Sequence, residues 1–269
     1  MIDYFSRLFR RFREERFAQL AASLSFTTLL SLVPLVAVVI IIGNRLPWIG
    51  GLVGYLDNFV IENLLPAQTG DVVARYAYRF SRQANRLTFG GAVLLLVAST
   101  ALMFSIERAF NHLWRVRQPR SLAERIFLYT IAIAVFPLLA GGLLGISAFL
   151  VNAAMPLAGQ REWARYLAVH GSAGMLLWGL FAVLYASVPA CQVRWRHALT
   201  GGAVAAIGVT AAQRLFGYAI DQASVYKTLY GAFSVLPIFL VWIYLCWAIV
   251  LVGALVAANF AGPGPLRRR

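Results

Sequence analysis

Tyr230-Gly-Ala-Phe-Ser-Val-Leu-Pro-Ile-Phe-Leu-Val-Trp-Ile-Tyr-Leu-Cys-Trp-Ala-Ile-Val-Leu-Val-Gly-Ala-Leu-Val-Ala-Ala258 contains no charged side chain. As a helix rising about 1.5 Å per residue, it exceeds a bilayer hydrocarbon core of about 30 Å. Its solvent is therefore lipid, and functional groups elsewhere must be read as acting at, in or across a membrane. Five earlier apolar runs share this character. They predict spans near 19–43, 88–105, 126–151, 171–189 and 198–216, with the sixth at 233–260. The bulk composition agrees: 61% hydrophobic residues and a mean hydropathy of +0.73 exceed what a soluble core of this size requires. The first run follows an arginine-rich stretch, as a secretory leader would. Its apolar core is too long for that, and no small-residue cleavage site follows, so it reads as a retained span.

Net charge is +14, almost all from arginine, with Lys227 the single lysine. A pI near 10.7 alone would suit nucleic acid, but the placement of the charges decides otherwise. Six spans put the N-terminus, second loop, fourth loop and C-terminus on one side. These segments hold fifteen basic residues: five from Arg7 to Arg16, five from Arg108 to Arg125, then Arg194, Arg196 and Arg267 to Arg269. The short opposite loops hold three, and the long first loop weighs less in such a count. Both termini are expected in the cytoplasm, and the excess charge is mostly a topology signal. The two cysteines, Cys191 and Cys246, are too few for a disulfide framework and read as inert thiols, with a reactive pair as the alternative.

Outside the spans, Tyr4, Phe5, Leu8, Phe9 and Phe12 form a helical stripe, with Arg7, Arg10, Arg11 and Arg13 mainly on other faces. This predicts an interfacial helix over 1–17; a disordered basic tail is the competing reading. The first loop, 44–87, is divided by Pro66. After it, Arg75, Arg79, Arg82 and Arg86 fall at i, i+4, i+7 and i+11, one face of a helix. Four like charges in a row gain from an anionic neighbour, such as a phospholipid headgroup or an acidic partner domain. A solvated face is the alternative. In the second loop the helical pattern of the second span continues to Trp114 and stops before Pro119, and Ser121-Leu-Ala-Glu124 reads as a capping box. Glu107 and Asn111 share a face with Trp114 close by. That combination reads as a structural polar corner rather than an active site.

Within the spans, Ser23, Thr27, Ser31 and Pro34 lie on one face of the first. Pro34 leaves the Leu30 carbonyl without its usual donor, which predicts a kink or a local opening of the helix; Pro137 and Pro237 are read the same way. Such residues can line a groove for substrate or lipid, although kinked helices also occur in static bundles. Gly141 and Gly145, and the ladder of Gly201, Gly202, Ala205 and Ala206, are small-residue packing signals. Arg214 and Asp221 are seven apart and can pair at the outer interface, or Arg214 can simply snorkel. No carboxylate sits mid-span, the usual mark of a proton- or sodium-driven transporter. His112, His170 and His197 lack metal-ligand spacing, and no paired carboxylates, phosphate loop or nucleophile elbow is present. Neither an enzyme, a metal nor a cofactor is expected.

Three stretches resemble the YihY/BrkB family of bacterial inner-membrane proteins: Ala21 to Pro34; Glu107, Asn111, Trp114 and Arg120; and Tyr230, Gly231, Pro237, Trp242, Tyr244, Trp247, Gly253 and Ala254. The resemblance implies cytoplasmic termini and a role in virulence or envelope integrity. The family has also carried a ribonuclease label, for which these residues offer no acid–base or metal constellation. Its pattern places a glutamate after the final Gly-Ala, where this chain has Leu255, so no role for that carboxylate transfers.

The expected fold is therefore an all-α polytopic membrane protein, one domain over 1–269. It has six transmembrane helices, a periplasmic amphipathic helical loop at 44–87 and a cytoplasmic tail at 261–269. The expected function is a transporter or lipid-handling protein of the inner membrane. An envelope scaffold is the alternative, and a membrane-associated ribonuclease a distant third. Membrane lipids, anionic phospholipid among them, and a periplasmic envelope partner are the expected partners; nucleic acid is not.

Overall fold

The computed structural model describes residues 17–45, 89–116, 120–121, 123–125, 127–129, 162–222 and 235–260. Among these it holds five long helices and no strand. They are α1 (Phe17–Arg45), α2 (Phe89–Leu113), α3 (Glu162–Ser187), α4 (Trp195–Gln222) and α5 (Val235–Phe260). These overlap the predicted spans one, two, four, five and six. The third beyond Tyr129, with Pro137, Gly141 and Gly145, lies outside the described residues. So do the N-terminal stripe, the first loop with Arg75, Arg79, Arg82 and Arg86, and the tail. Among the described residues, Trp195–Ala219 and Pro237–Phe260 are long and apolar enough to cross a membrane.

α1 to α4 outrun their predicted spans at one end or both because hydropathy marks where hydrocarbon begins, whereas a helix needs only its own backbone bonds to continue. Thus α3 starts at Glu162 rather than at 171, and α4 runs on to Gln222. Proline sets one boundary: α3 stops at Ser187, since Pro189 disfavours helical torsions in the residue before it. α1 runs on through Pro34, as kinked helices also do. One proline behaves differently from the sequence expectation. Pro237 occupies the first turn of α5, where its missing N–H is one that no helical carbonyl would have accepted. It therefore starts the helix rather than kinking or opening it.

The neighbours run in the order α3, α4, α5, α1, α2. The antiparallel α4–α5 seam is built on glycine: a Cβ added at Gly201 would meet the Gly253 carbonyl oxygen at 2.5 Å and the Ala257 Cβ at 2.7 Å. On the next face, a Cβ at Gly202 would meet the Ala182 nitrogen at 2.9 Å, which sets α3 against α4. Farther along the α4–α5 seam, Phe216 packs on Trp242 with ring centroids 5.1 Å apart. α1 joins α5 through the Trp247 indole N–H, which donates to the Thr28 hydroxyl at 2.9 Å. α2 and α3 both end at the same end of the bundle, where Phe17, Ala21, Leu24, Phe110, Leu113 and Tyr185 share one buried cluster.

Candidate functional site

At that end a polar corner is assembled from three pieces of chain. α2 contributes Glu107, Asn111 and Trp114, spaced i, i+4 and i+7 so that all three face the bundle. The helix ends in a Schellman turn. Arg115 takes a positive φ of 52°, its N–H donates to the His112 carbonyl at 3.0 Å, and the Val116 N–H donates to Asn111 at 2.9 Å. Sequence reasoning missed this turn because a non-glycine residue stands where glycine is customary. The chain then reaches Arg120 and a new helical turn, whose capping box forms in both directions. The Ser121 N–H donates to Glu124 Oε2 at 3.2 Å and the Glu124 N–H to Ser121 Oγ at 3.4 Å.

Glu107 is the centre, 2% exposed. It accepts from Asn111 Nδ2 at 3.2 Å and from the Tyr129 hydroxyl. Arg125 Nε stands 3.6 Å from one of its oxygens and an Arg120 nitrogen 4.0 Å from the other. A buried carboxylate is tolerable only with such compensation, since desolvation alone costs several kcal/mol. The third piece is the turn after α3. Asn111 Oδ1 accepts the Ala190 N–H at 2.7 Å. Arg120 donates to three successive carbonyls there: Ser187 at 3.3 Å, Val188 at 2.9 Å and Pro189 at 3.1 Å. The Ser187 carbonyl is one that a helix terminus leaves unpaired, and a guanidinium also suits the negative end of the α3 dipole. Apolar packing seals the corner: Trp114 stacks on Phe110 at 5.8 Å, and both rings lie against Tyr185.

In this arrangement, the side chains available to Glu107 serve to hold two helix ends together. Cys191 is buried in the turn after α3, and burial pushes its thiol up to about 11 against the opposing pull of Arg120. Among the described residues no group of three His, Cys, Asp or Glu could hold a metal ion. The predicted groove residues are spread in depth. Ser23 is exposed, Thr27 is half-buried and donates to the Ser23 carbonyl of its own helix at 2.9 Å, and Ser31 is buried. Pro34 lies within α1, Pro237 is exposed at the start of α5, and Arg214 is exposed on α4. Thr28 and Tyr129 were not singled out from sequence. A lone hydroxyl in an apolar run carries no signal of its partner until the helices are packed.

A family model described as Virulence factor BrkB matches residues 8–263. UPF0761 membrane proteins of Aromatoleum aromaticum, Paraburkholderia xenovorans and Legionella pneumophila are 42%, 40% and 37% identical to it over 96%, 93% and 96% of this chain. The chain spans 63%, 58% and 62% of those relatives' own lengths. No solved structure matches it. With the family model covering nearly its whole length and its curated relatives named as membrane proteins, the chain belongs to the BrkB virulence factor family of integral membrane proteins.

Proposed function

We propose that this chain is a six-span protein of the bacterial inner membrane, with both termini cytoplasmic and a periplasmic helical first loop, and that it moves or handles lipid or another amphiphile. The topology is supported by the arginine asymmetry and by α2 and α3 running to the same end, which calls for one more crossing between them. Exposed Trp195 and Tyr218, near opposite ends of α4, are separated by about 35 Å of helix, the spacing of two interfacial aromatic belts. The observation that carries the functional reading is how the bundle is closed. α3, α4 and α5 interlock through glycines, whereas α2 meets the end of α3 and the α3–α4 turn through aromatic packing and through polar bonds around one buried carboxylate. Rigid units held by close packing and joined by exchangeable bonds are what an opening transition requires. Nothing in the corner supplies acid–base or nucleophilic chemistry toward an outside substrate, so the reading is non-enzymatic.

The test is reconstitution into liposomes with labelled phospholipid or solute. Transbilayer movement that changes when Glu107→Gln weakens the corner is the expected result. No movement, with a stable co-purifying envelope protein, would replace this reading with a scaffold.

A further inference from the structure

Phe104 lies one turn before Arg108 on α2, and two guanidinium groups rest against its ring: Arg108 at 4.9 Å from the centroid and Arg125 at 4.8 Å. Both sharing one ring, their charges lie within roughly 10 Å of each other. Arg125 also approaches Glu107, but its Nε is buried without a hydrogen bond. Arg108 is exposed and lies over the Phe104 ring. Glu107 is shared between Arg125 and Arg120, whose side chains are only 14% and 16% exposed. Glu124 is engaged at its own N-cap. Arg108, Arg120 and Arg125 thus stand against Glu107 and Glu124, which leaves a net positive charge at this end of α2 that an anion can balance. A second observation indicates what completes it. Val97 (61% exposed), Ala101, Phe104 and Arg108 fall at i, i+4, i+7 and i+11, so an outward apolar stripe on α2 leads to the paired arginines. An anion with a long apolar tail fits both parts.

We infer that Arg108 and Arg125, flanking Phe104, form a headgroup site for an anionic phospholipid whose phosphate bridges the two guanidinium groups and whose acyl chain lies along Val97 and Ala101. Guanidinium forks match phosphate oxygens in geometry as well as charge, and the ring keeps both forks from folding away. The site rests on the proposed membrane topology, which puts Arg108 at headgroup depth.

The experiment is a titration of the purified chain, in nanodiscs of neutral phosphatidylcholine, with phosphatidylglycerol, read by native mass spectrometry. Wild type is expected to retain phosphatidylglycerol preferentially. Arg108→Gln should weaken retention about fivefold, the worth of one arginine near a lipid surface, and Arg108→Gln with Arg125→Gln should weaken it further. Arg194→Gln with Arg196→Gln, a basic pair at the start of α4, should change it little. Because Arg125 also supports Glu107, Arg108→Gln is the decisive variant. Unaltered phosphatidylglycerol retention by that variant, with an unchanged melting temperature, would overturn the site. Displacement of the lipid by millimolar inorganic phosphate would also overturn it, since the tail would then contribute nothing. Labelling of Arg108→Cys from the periplasmic side would defeat the proposed topology while leaving the affinity difference to support the site, so the two failures are distinguishable.

Discussion

The α4–α5 seam and the corner around Glu107 solve one problem in opposite ways. Lipid is as apolar as the helices, so burial alone does not tell two of them where to meet. At the seam the answer is shape: Gly201 and Gly253 let two backbones approach so closely that a Cβ on either would strike the other's carbonyl oxygen at 2.5 and 2.8 Å. At the corner the answer is charge: one carboxylate gathers two arginines, an asparagine and a tyrosine, and Asn111 and Arg120 carry the link to the turn after α3. Shape fixes register without any group to exchange, whereas charge fixes it through bonds that water or another anion can replace.

The sharpest way to break the comparison is to remove the carboxylate. Glu107→Ala leaves two largely buried arginines without their counter-ion and is expected to cost about 4 kcal/mol, read as loss of thermal stability in detergent. Glu107→Gln keeps the volume and a polar partner for Asn111, so it should cost less. A Glu107→Gln without cost would mean that charge is irrelevant to the corner. Next in size is the seam: Gly201→Val is expected to cost about 3 kcal/mol by forcing α4 off α5. A neutral Gly201→Val would show that close packing there is incidental.

How much of this was legible in the sequence follows the same division. The helices were legible because an uncharged run of bilayer length has few alternatives, and the ladder of Gly201 and Gly202 announced close packing through its spacing. The capping box at Ser121 and Glu124 was legible because its chemistry is local. Glu107 with Asn111 was legible as a pair, being one helical turn apart. Arg120's reach to carbonyls 67 to 69 residues away was not, because nothing in sequence spacing encodes a contact made by a turn and a separate helix end. Pro237 was misread for a related reason: proline breaks a helix or opens one according to a boundary that hydropathy locates only to within a few residues.

A smaller effect tests how α1 is joined to the bundle. The Trp247 indole donates to Thr28 from a half-buried position, a bond of neither the glycine nor the ionic kind. Trp247→Phe and Thr28→Val should each destabilise, and their double-mutant cycle should return a coupling of about 0.6 kcal/mol, typical of hydrogen bonds between membrane helices. A coupling near zero would leave apolar contact as what joins α1 to α5.

The smallest effect concerns Arg115, on whose turn the geometry of the corner depends. Its positive φ of 52° carries the chain out of α2 toward Arg120, and a left-handed torsion strains any residue with a Cβ by about 1 kcal/mol. Arg115→Gly removes that strain but loosens the unfolded chain and gives up an exposed, engaged side chain, so against wild type the terms nearly cancel. Arg115→Ala loses the same side chain while keeping the strain. The difference between the two variants therefore isolates the backbone, and glycine is expected to be the more stable by somewhat under about 1 kcal/mol in chemical unfolding. Were alanine equal or better, the left-handed turn would not be what directs the chain into the corner, and the bonds of Asn111 and Arg120 would hold α2 to the α3–α4 turn without it.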